Sequence, residues 1–435
     1  MPPTPLHLSS RSRRTTEQPI SWLIQQAVEN RDLISLAAGL VDEETLPAAE
    51  VVQACEAILR DGPRARAALQ YGTTQGLASL RQQLLERLRA ADGLTPADHK
   101  LAASDVVLTT GSQQLLYLLG ETLIDPGDLV IVEAPTYFVF QGTLRSLGAR
   151  ILSVPVDHDG LDVEVLAELL DRLERTGEIH RLRFIYVCDY FQNPTGRTLS
   201  LPRRQRLVEL VERHSRRQRI LIVEDAAYRE LRYDGPDLPS IKSFDPENQY
   251  VVLAQTFSKP CAPGLKTGFG VLPRDLMEPV LLLKGNHDFG SSNLLQHVLD
   301  DLLASGAYDR HVARLRRAYR RKRDALTAAL AEHFPASSGI RWTRPDGGLY
   351  VWLTFPEGTE TGPSSALMRA ALRENVLYVP GEFCYDGSSG PVPRHEARLS
   401  FGVASEEQLR EGVARLARAA AAARAERSEL AAIEL

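Results

Sequence analysis

Cysteine is scarce. The 435 residues hold four, Cys55, Cys188, Cys261 and Cys384, scattered without disulfide or metal-ligand spacing. That excludes a disulfide framework and a cysteine-based metal centre, and free thiols point to a reducing cytosol. Charge of one sign is lacking too. Against 56 Asp+Glu stand 51 Lys+Arg, a net charge of −5, which gives neither nucleic acid nor an acidic membrane surface an electrostatic footing. No apolar run reaches membrane-spanning length. The Pro-bearing N-terminus turns basic at Arg11–Arg14 without the apolar core of a secretion signal. Internal repeats are also missing. What is present is 43% hydrophobic and 25% charged residues, ample for a buried core and, at this length, for two domains. A cytoplasmic globular protein is expected.

Two apolar, β-branched runs end in reactive groups. Residues 250–259 begin as a strand buried on both faces and close on Thr256, Ser258 and Lys259. Pro263, Gly264 and Gly268 then read as turn residues that end regular structure. A lysine at the mouth of a buried strand is partly desolvated, which frees its amine to attack carbonyls. By itself the pattern is also that of an ordinary solvated strand end. Upstream, residues 219–225 form a second such run that delivers Asp225 at its C-terminal end, with Tyr228 one turn later. In open α/β sheets, ligands gather at the C-terminal ends of strands. A lysine for an aldehyde and a carboxylate for a ring nitrogen are what pyridoxal phosphate requires of a protein.

The remaining segments read as supports. Residues 1–19 form a polar arm and 20–28 a short amphipathic helix. Tyr71-Gly72 and Gly76 mark a loop ahead of a helix bearing Leu77, Leu80, Leu84, Leu85 and Leu88. Residues 104–114 are strand, glycine turn and helix start. The N–H groups of such a start bind phosphate, with Gly111 allowing close approach and Ser112 adding a hydroxyl. Tyr137 follows the buried strand 129–133 and can stack on a flat ring. The string Phe191-Gln192-Asn193-Pro194-Thr195-Gly196 aims an amide that can donate to a phenolate oxygen. Arg398, within Arg398-Leu399-Ser400-Phe401, offers a fork for a carboxylate. Helices are predicted over 48–60, 141–147, 161–175, 201–216, 294–304 and 310–333. The arginines of 201–216 and the basic run 314–323 read as solvated faces. His158 reads as a solvated turn residue, and His287 and Asp288 as interface or polar-loop residues rather than a catalytic pair. Ser405 and Gln408 form a capping box.

These motifs, in this order from about residue 35 to 402, resemble the fold-type I, class I/II aminotransferases, nearest the 2-aminoadipate/kynurenine branch. The resemblance implies an α/β fold: a mostly parallel central sheet flanked by helices in a large domain, plus a smaller α+β domain. Residues 1–47 would be the N-terminal arm and part of the small domain, 48–293 the large domain, and 294–435 the rest of the small one. It implies pyridoxal 5'-phosphate as cofactor and no metal. Lys259 bonds the cofactor and serves as general base, Asp225 pairs with the ring nitrogen, and Tyr137 stacks on the ring as the third catalytic residue. Tyr228 and Asn193 attend the phenolic oxygen. Ser112, Gln113, Thr256, Ser258 and Lys266 hold the phosphate, with Tyr71 crossing from the partner of a homodimer with shared active sites. Gly39, Asn193 and Arg398 hold the substrate carboxylate.

Two positions depart from the family pattern. Lys266 replaces its arginine, keeping the charge but losing the planar fork, so weaker or differently oriented phosphate holding is expected. Asp189 stands where proline is common. It is expected either to line the substrate entrance and alter specificity or to be a loop replacement with no role. The implied reaction moves an amino group between an L-amino acid and a 2-oxo acid. The amino acid would have a large, aromatic, aminoadipate-like or branched side chain. A decarboxylase, eliminating lyase or amino-acid oxidase of the same fold stays open. A regulatory module ranks low, because about nineteen residues before the first helix are too few for a DNA-binding domain. A non-catalytic scaffold is disfavoured by the intact Lys259, Asp225 and Asn193.

Overall fold

The apolar β-branched runs pair with one another because neither of their faces can be left in water. A computed structural model describes residues 6–433 apart from 17–20, 24, 27–29, 31, 38, 98 and 389. The helix expected over 20–28 therefore lies in part outside the described residues. Eight strands form the central sheet, in the order Val106–Thr109, Gly268–Val271, Val251–Thr256, Leu221–Asp225, Leu182–Val187, Leu129–Ala134, Arg150–Asp157, Gly160–Leu161. The four neighbouring pairings from Val251–Thr256 across to Arg150–Asp157 are parallel. Gly268–Val271 runs antiparallel to both of its neighbours.

Alternation along the strands divides the core. Val130, Val132, Phe184, Tyr186 and Val223 pack against Leu115, Leu119 and Phe140 of the helices Gly111–Leu123 and Phe138–Leu147. Leu129, Ile131, Ile185, Val187 and Ile222 pack against Leu166, Leu170, Leu207 and Val211 of Val163–Arg175 and Leu201–His214. A strand's side chains alternate between faces, so Asp225 shares the face of Val223, and Glu224 shares the face of Ile222.

A second, antiparallel sheet has the order Arg341–Trp342, Tyr350–Thr354, Glu396–Ser400, Val379–Pro380, with Arg398 opposite both Trp352 and Val379. Ile34–Ser35 pairs in parallel with Val376–Leu377 and brings Gly39 towards this sheet. Ser405 and Gln408 close the expected capping box: the Gln408 N–H donates to Ser405 Oγ at 3.1 Å and the Ser405 N–H to Gln408 Oε1 at 2.9 Å. No described helix is long and apolar enough to cross a membrane.

Three expectations are corrected. Gly268 does not end regular structure; it opens the antiparallel strand. A Cβ there would lie 2.7 Å from Ser112 N and from Gln255 O, so only glycine lets this strand reach the start of the Gly111 helix. The basic run 314–323 is not wholly solvated. Lys322 reaches Asp42 at 2.8 Å, and buried Arg323 donates to Asp234 at 2.6 Å and to Pro345 O at 3.0 Å. Nor is Arg204 on a solvated face: it is fully buried against Asp189. These charges go inside because acids from other segments meet them there, and burying a charge otherwise costs several kcal/mol. The helix Arg274–Asp288, with Pro279 inside it, was not anticipated. Gly268→Ala should lower the unfolding free energy by about 1–3 kcal/mol through overpacking, read from denaturant unfolding. A variant as stable as the parent would show that the strand can move away from the helix start without cost.

Candidate active site

The strand ends build one site. All the predicted site residues except Tyr71 line a single cavity of about 340 Å3 at the C-terminal ends of the parallel strands. Asp225 is the last residue of its strand and is buried, while Lys259 lies three residues beyond the neighbouring strand's end at Thr256. Lys259 Nζ donates to Gly39 O at 2.6 Å. Asp225 Oδ2 accepts the Tyr186 hydroxyl at 2.8 Å, and its Oδ1 is buried with no hydrogen-bond partner. Burial pushes the Asp225 carboxyl up to about 6, partly opposed by the Tyr186 hydroxyl. The Tyr137 hydroxyl is also raised, by burial first and then by the charge of Asp225.

One end of the cavity carries anion-binding groups. The helix Gly111–Leu123 presents its first N–H groups beside Ser112 and Gln113. Thr256 Oγ1 donates to Ser258 Oγ at 3.0 Å. Gly111 has a φ of +72°, and a Cβ there would project between these hydroxyls, 3.8 Å from Thr256 Oγ1 and 4.0 Å from Ser258 Oγ. Lys266, in the left-handed region at φ 48°, supplies a cation at the rim. At the other end, Arg398 is buried. It donates to Asn193 Oδ1 and to Ala37 O, both at 2.8 Å, and its Nε has no partner. Its guanidinium lies 4.3 Å from the centre of the Tyr350 ring. The Tyr350 and Tyr228 hydroxyls are 3.2 Å apart.

Tyr186 and Tyr350 were not singled out from the sequence. Strand alternation places Tyr186, register partner of Val223, on the face of Asp225; that was the available signal. Tyr350 offers no local signal, because its contacts come from distant segments. Tyr71 lies outside the cavity, 82% exposed, with its ring edge-on to Phe289 at 5.8 Å. Asp189 does not line the entrance. It is fully buried on the opposite face of the sheet, paired with Arg204 and in contact with Glu224. His287 and Asp288 also stay out of the cavity. They end the helix Arg274–Asp288 and contact Gln114 at 3.0 and 2.7 Å, and Asp288 accepts from Lys284. His158 is exposed, as expected.

The donor set fits pyridoxal phosphate on three counts. A buried carboxylate oxygen lacks a partner where a ring N–H would donate; hydroxyls and helix N–H groups converge where a phosphate would sit; a lysine amine stands between them. An open α/β sheet with this constellation defines a pyridoxal-phosphate enzyme of fold type I. Residues 31–416 match the model of the family "Aminotransferase class I and II". The chain is 35% identical over 390 residues to the aromatic-amino-acid aminotransferase 1 of Thermococcus litoralis, covering 90% of this chain and 88% of that protein. It is similar to the solved structure of a Pyrococcus horikoshii kynurenine aminotransferase in complex with PMP. There the TM-score is 0.86 at 33% identity, over 95% of this chain and 96% of the other. It is also similar to LysN, the α-aminoadipate aminotransferase of Thermus thermophilus complexed with N-(5'-phosphopyridoxyl)-L-leucine. That comparison has a TM-score of 0.82 at 33% identity, over 96% and 98% of the two chains. The chain belongs to the class I and II aminotransferase family, and it is a pyridoxal-phosphate-dependent aminotransferase.

A ring nitrogen paired with Asp225 would make cofactor binding pH-dependent. In the free protein the Asp225 carboxyl is raised to about 6; a cationic ring nitrogen beside it favours the ionised form and lowers it again. Binding therefore releases a proton below about pH 6, and the affinity for pyridoxal phosphate should fall as pH falls through that value. Titrations of cofactor absorbance between pH 5 and 7 should show a component absent from Asp225→Asn. Identical pH profiles for the two proteins would refute the pairing.

Proposed function

We propose that Lys259 and Asp225 carry the amino-group transfer, and that the amino donors have large, aromatic, aminoadipate-like or branched side chains. The observation that carries the reading is the pairing itself: adjacent parallel strands bring an amine and a carboxylate with one unsatisfied oxygen to the same crevice. Pyridoxal phosphate, when bound, supplies an aldehyde carbon and an electron-withdrawing ring. Lys259 is the amine that bonds that aldehyde. Its Nζ would serve as the base that takes the substrate's α-proton and the acid that returns it. Gly39 O is the acceptor that keeps the amine aimed. Asp225 would be the carboxylate that pairs with the ring nitrogen and favours its protonated form. Tyr137 covers the ring face, while Tyr228 and Asn193 attend the phenolic oxygen.

Ser112, Gln113, Thr256 and Ser258 hold the phosphate through N–H and hydroxyl groups. Lys266 adds a point charge, a weaker grip than a planar fork. Arg398, with Asn193 and the backbone at Gly39, holds the substrate carboxylate; its unpartnered Nε supports this role. Leu40, Phe138 and Val139 supply apolar wall for a large side chain, in keeping with the aromatic, kynurenine and aminoadipate aminotransferases it resembles. The co-substrate is a 2-oxo acid; no nucleic acid or membrane is a partner.

The same reading assigns residues 48–293 to a large domain, and 1–47 with 294–435 to the arm and small domain. It pairs two chains into a homodimer, with exposed Tyr71 reaching the partner's phosphate site beside Phe289, itself 69% exposed. Four free cysteines support a cytoplasmic setting.

Mixing the holoenzyme with a panel of amino acids should change the cofactor's visible spectrum most for large side chains and yield one 2-oxo acid per amino acid consumed. Gas, peroxide or free ammonia would favour another outcome of the same fold. Lys259→Ala should cut kcat by about 10²–10⁴-fold, and Asp225→Ala should cut it severely. Turnover near that of the parent in either variant would show the assignment to be wrong. A monomer in sedimentation would remove Tyr71 from the site.

A further inference from the structure

Asn193 sits at the tip of a loop whose two ends meet at Asp189 and Leu199. The Leu199 N–H donates to Asp189 O at 2.9 Å. Inside the loop the Gln192 N–H donates to Arg197 O, and the Gly196 N–H to Gln192 O, both at 2.7 Å. One guanidinium then grips both ends: Arg204 Nε donates to Leu199 O at 2.9 Å and Nη2 to Asp189 O at 3.0 Å. Its Nη1 donates to the Asp189 carboxylate and, at 3.1 Å, to Pro239 O. The same guanidinium lies 4.1 Å from the centre of the Tyr190 ring. Arg204 and Asp189 are both fully buried.

The clamp is anchored to the sheet through Glu224. That side chain accepts the Ile241 and Lys242 N–H groups, both at 2.8 Å, and touches the Asp189 carboxyl. Burial, reinforced by the charge of Asp189, pushes Glu224 well above its ordinary value. Asp189 Oδ2 is the oxygen that pairs with Arg204, and Oδ1 has no hydrogen-bond partner. Glu224 and Asp225 are neighbours on one strand and face opposite sides. The clamp therefore lies behind the sheet, while the tip of the loop reaches the cavity and bonds Arg398 at 2.8 Å.

We propose that Asp189 and Arg204 are positioning residues for the substrate-carboxylate site, fixing from the far side of the sheet the loop through which Asn193 aligns Arg398. The inference rests on the carboxylate role of Arg398 given above. A fork that fixes two carbonyls and a carboxylate at the base of the loop sets the height of its tip. A lysine at 204 would still neutralise Asp189 but is a single point donor that cannot bridge both ends of the loop. Substrate and carboxylate inhibitor lose the same interaction, whereas groups that act on the α-proton are untouched.

The test compares parent, Arg204→Lys, the charge-free pair Asp189→Asn/Arg204→Gln, and Arg398→Gln as holoenzymes. The readouts are KM and kcat for the best donor of the panel, and the competitive Ki of 3-phenylpropionate, a carboxylate without an amine. Arg204→Lys should raise KM and Ki together by about tenfold with kcat little changed, the pattern of lost uniform binding. The charge-free pair leaves no buried charge unpaired, so it should fold and show the same joint rise. Unchanged KM and Ki in Arg204→Lys and in the charge-free pair, whatever happens to Tm, overturn the inference, because a purely structural clamp moves only stability. Arg398→Gln separates the two claims. If it leaves Ki unchanged, the carboxylate site itself is misassigned; if it abolishes inhibition while the clamp variants behave as the parent, only the clamp is refuted.

Discussion

A carboxylate oxygen inside the protein with nothing to accept from is the constraint around which this molecule is arranged. An unpaired buried charge costs several kcal/mol, and the Tyr186 hydroxyl bonds only one of the two oxygens of Asp225. The nearby amine does not relieve it, because Lys259 donates to Gly39 O instead. Strand geometry keeps the two apart. Asp225 is in register with Ala254, two residues before that strand ends, and Lys259 lies beyond the end. Had the two paired directly, each would have consumed the other. Held apart, they leave a gap whose two walls ask for a cation on one side and an electrophilic carbon on the other.

Several charges elsewhere in the interior are closed off. Lys242 Nζ, fully buried, reaches Asp245 at 2.9 Å and Val251 O at 2.6 Å. Arg323 is spent on Asp234, Asp324 and Pro345 O. Arg204 is spent on Asp189 and three carbonyls. Asp225 Oδ1 and Arg398 Nε, by contrast, are left open on the same cavity. On a cavity, such open valences are where a ligand can complete the electrostatics.

This contrast also explains what could be read from the sequence. Lys259, Asp225, Asn193 and Arg398 stand in short strings whose local pattern already says strand end, turn or fork. The parallel sheet was legible from the β-branched runs, and the helix starts from their glycines and caps. Buried Arg204 and Arg323 were not legible, because on a helix they look like any solvated arginine. Their partners come from residues 15 and 89 positions away. Gly268 misled for a similar reason. A glycine reads as a turn unless one knows that a helix start will arrive 2.7 Å from its missing Cβ. Tyr350 belongs to the second sheet, and nothing local says that its hydroxyl will meet that of Tyr228.

Parity along the strands then decides which acids take part. Glu224 and Asp225 are adjacent in the chain and equally buried, yet only one faces the cavity. Glu133 shares the alternation of Leu129 and Ile131, on the face away from Asp225. Burial pushes it up to about 8, so it keeps its proton at neutral pH while accepting the Cys188 N–H at 2.8 Å. Glu224 is raised as well, for the same first cause. Behind the sheet, then, burial raises Glu133 and Glu224, and Asp189 is tied to Arg204; in front of it Asp225 faces the cavity. A one-residue slip in the register of Leu221–Asp225 would exchange the two sides. It would turn Glu224 towards the cavity and Asp225 away from it. The long apolar runs that bury both faces of this sheet guard against that slip, and in this way the hydrophobic pattern of the core sets the electrostatics of the site.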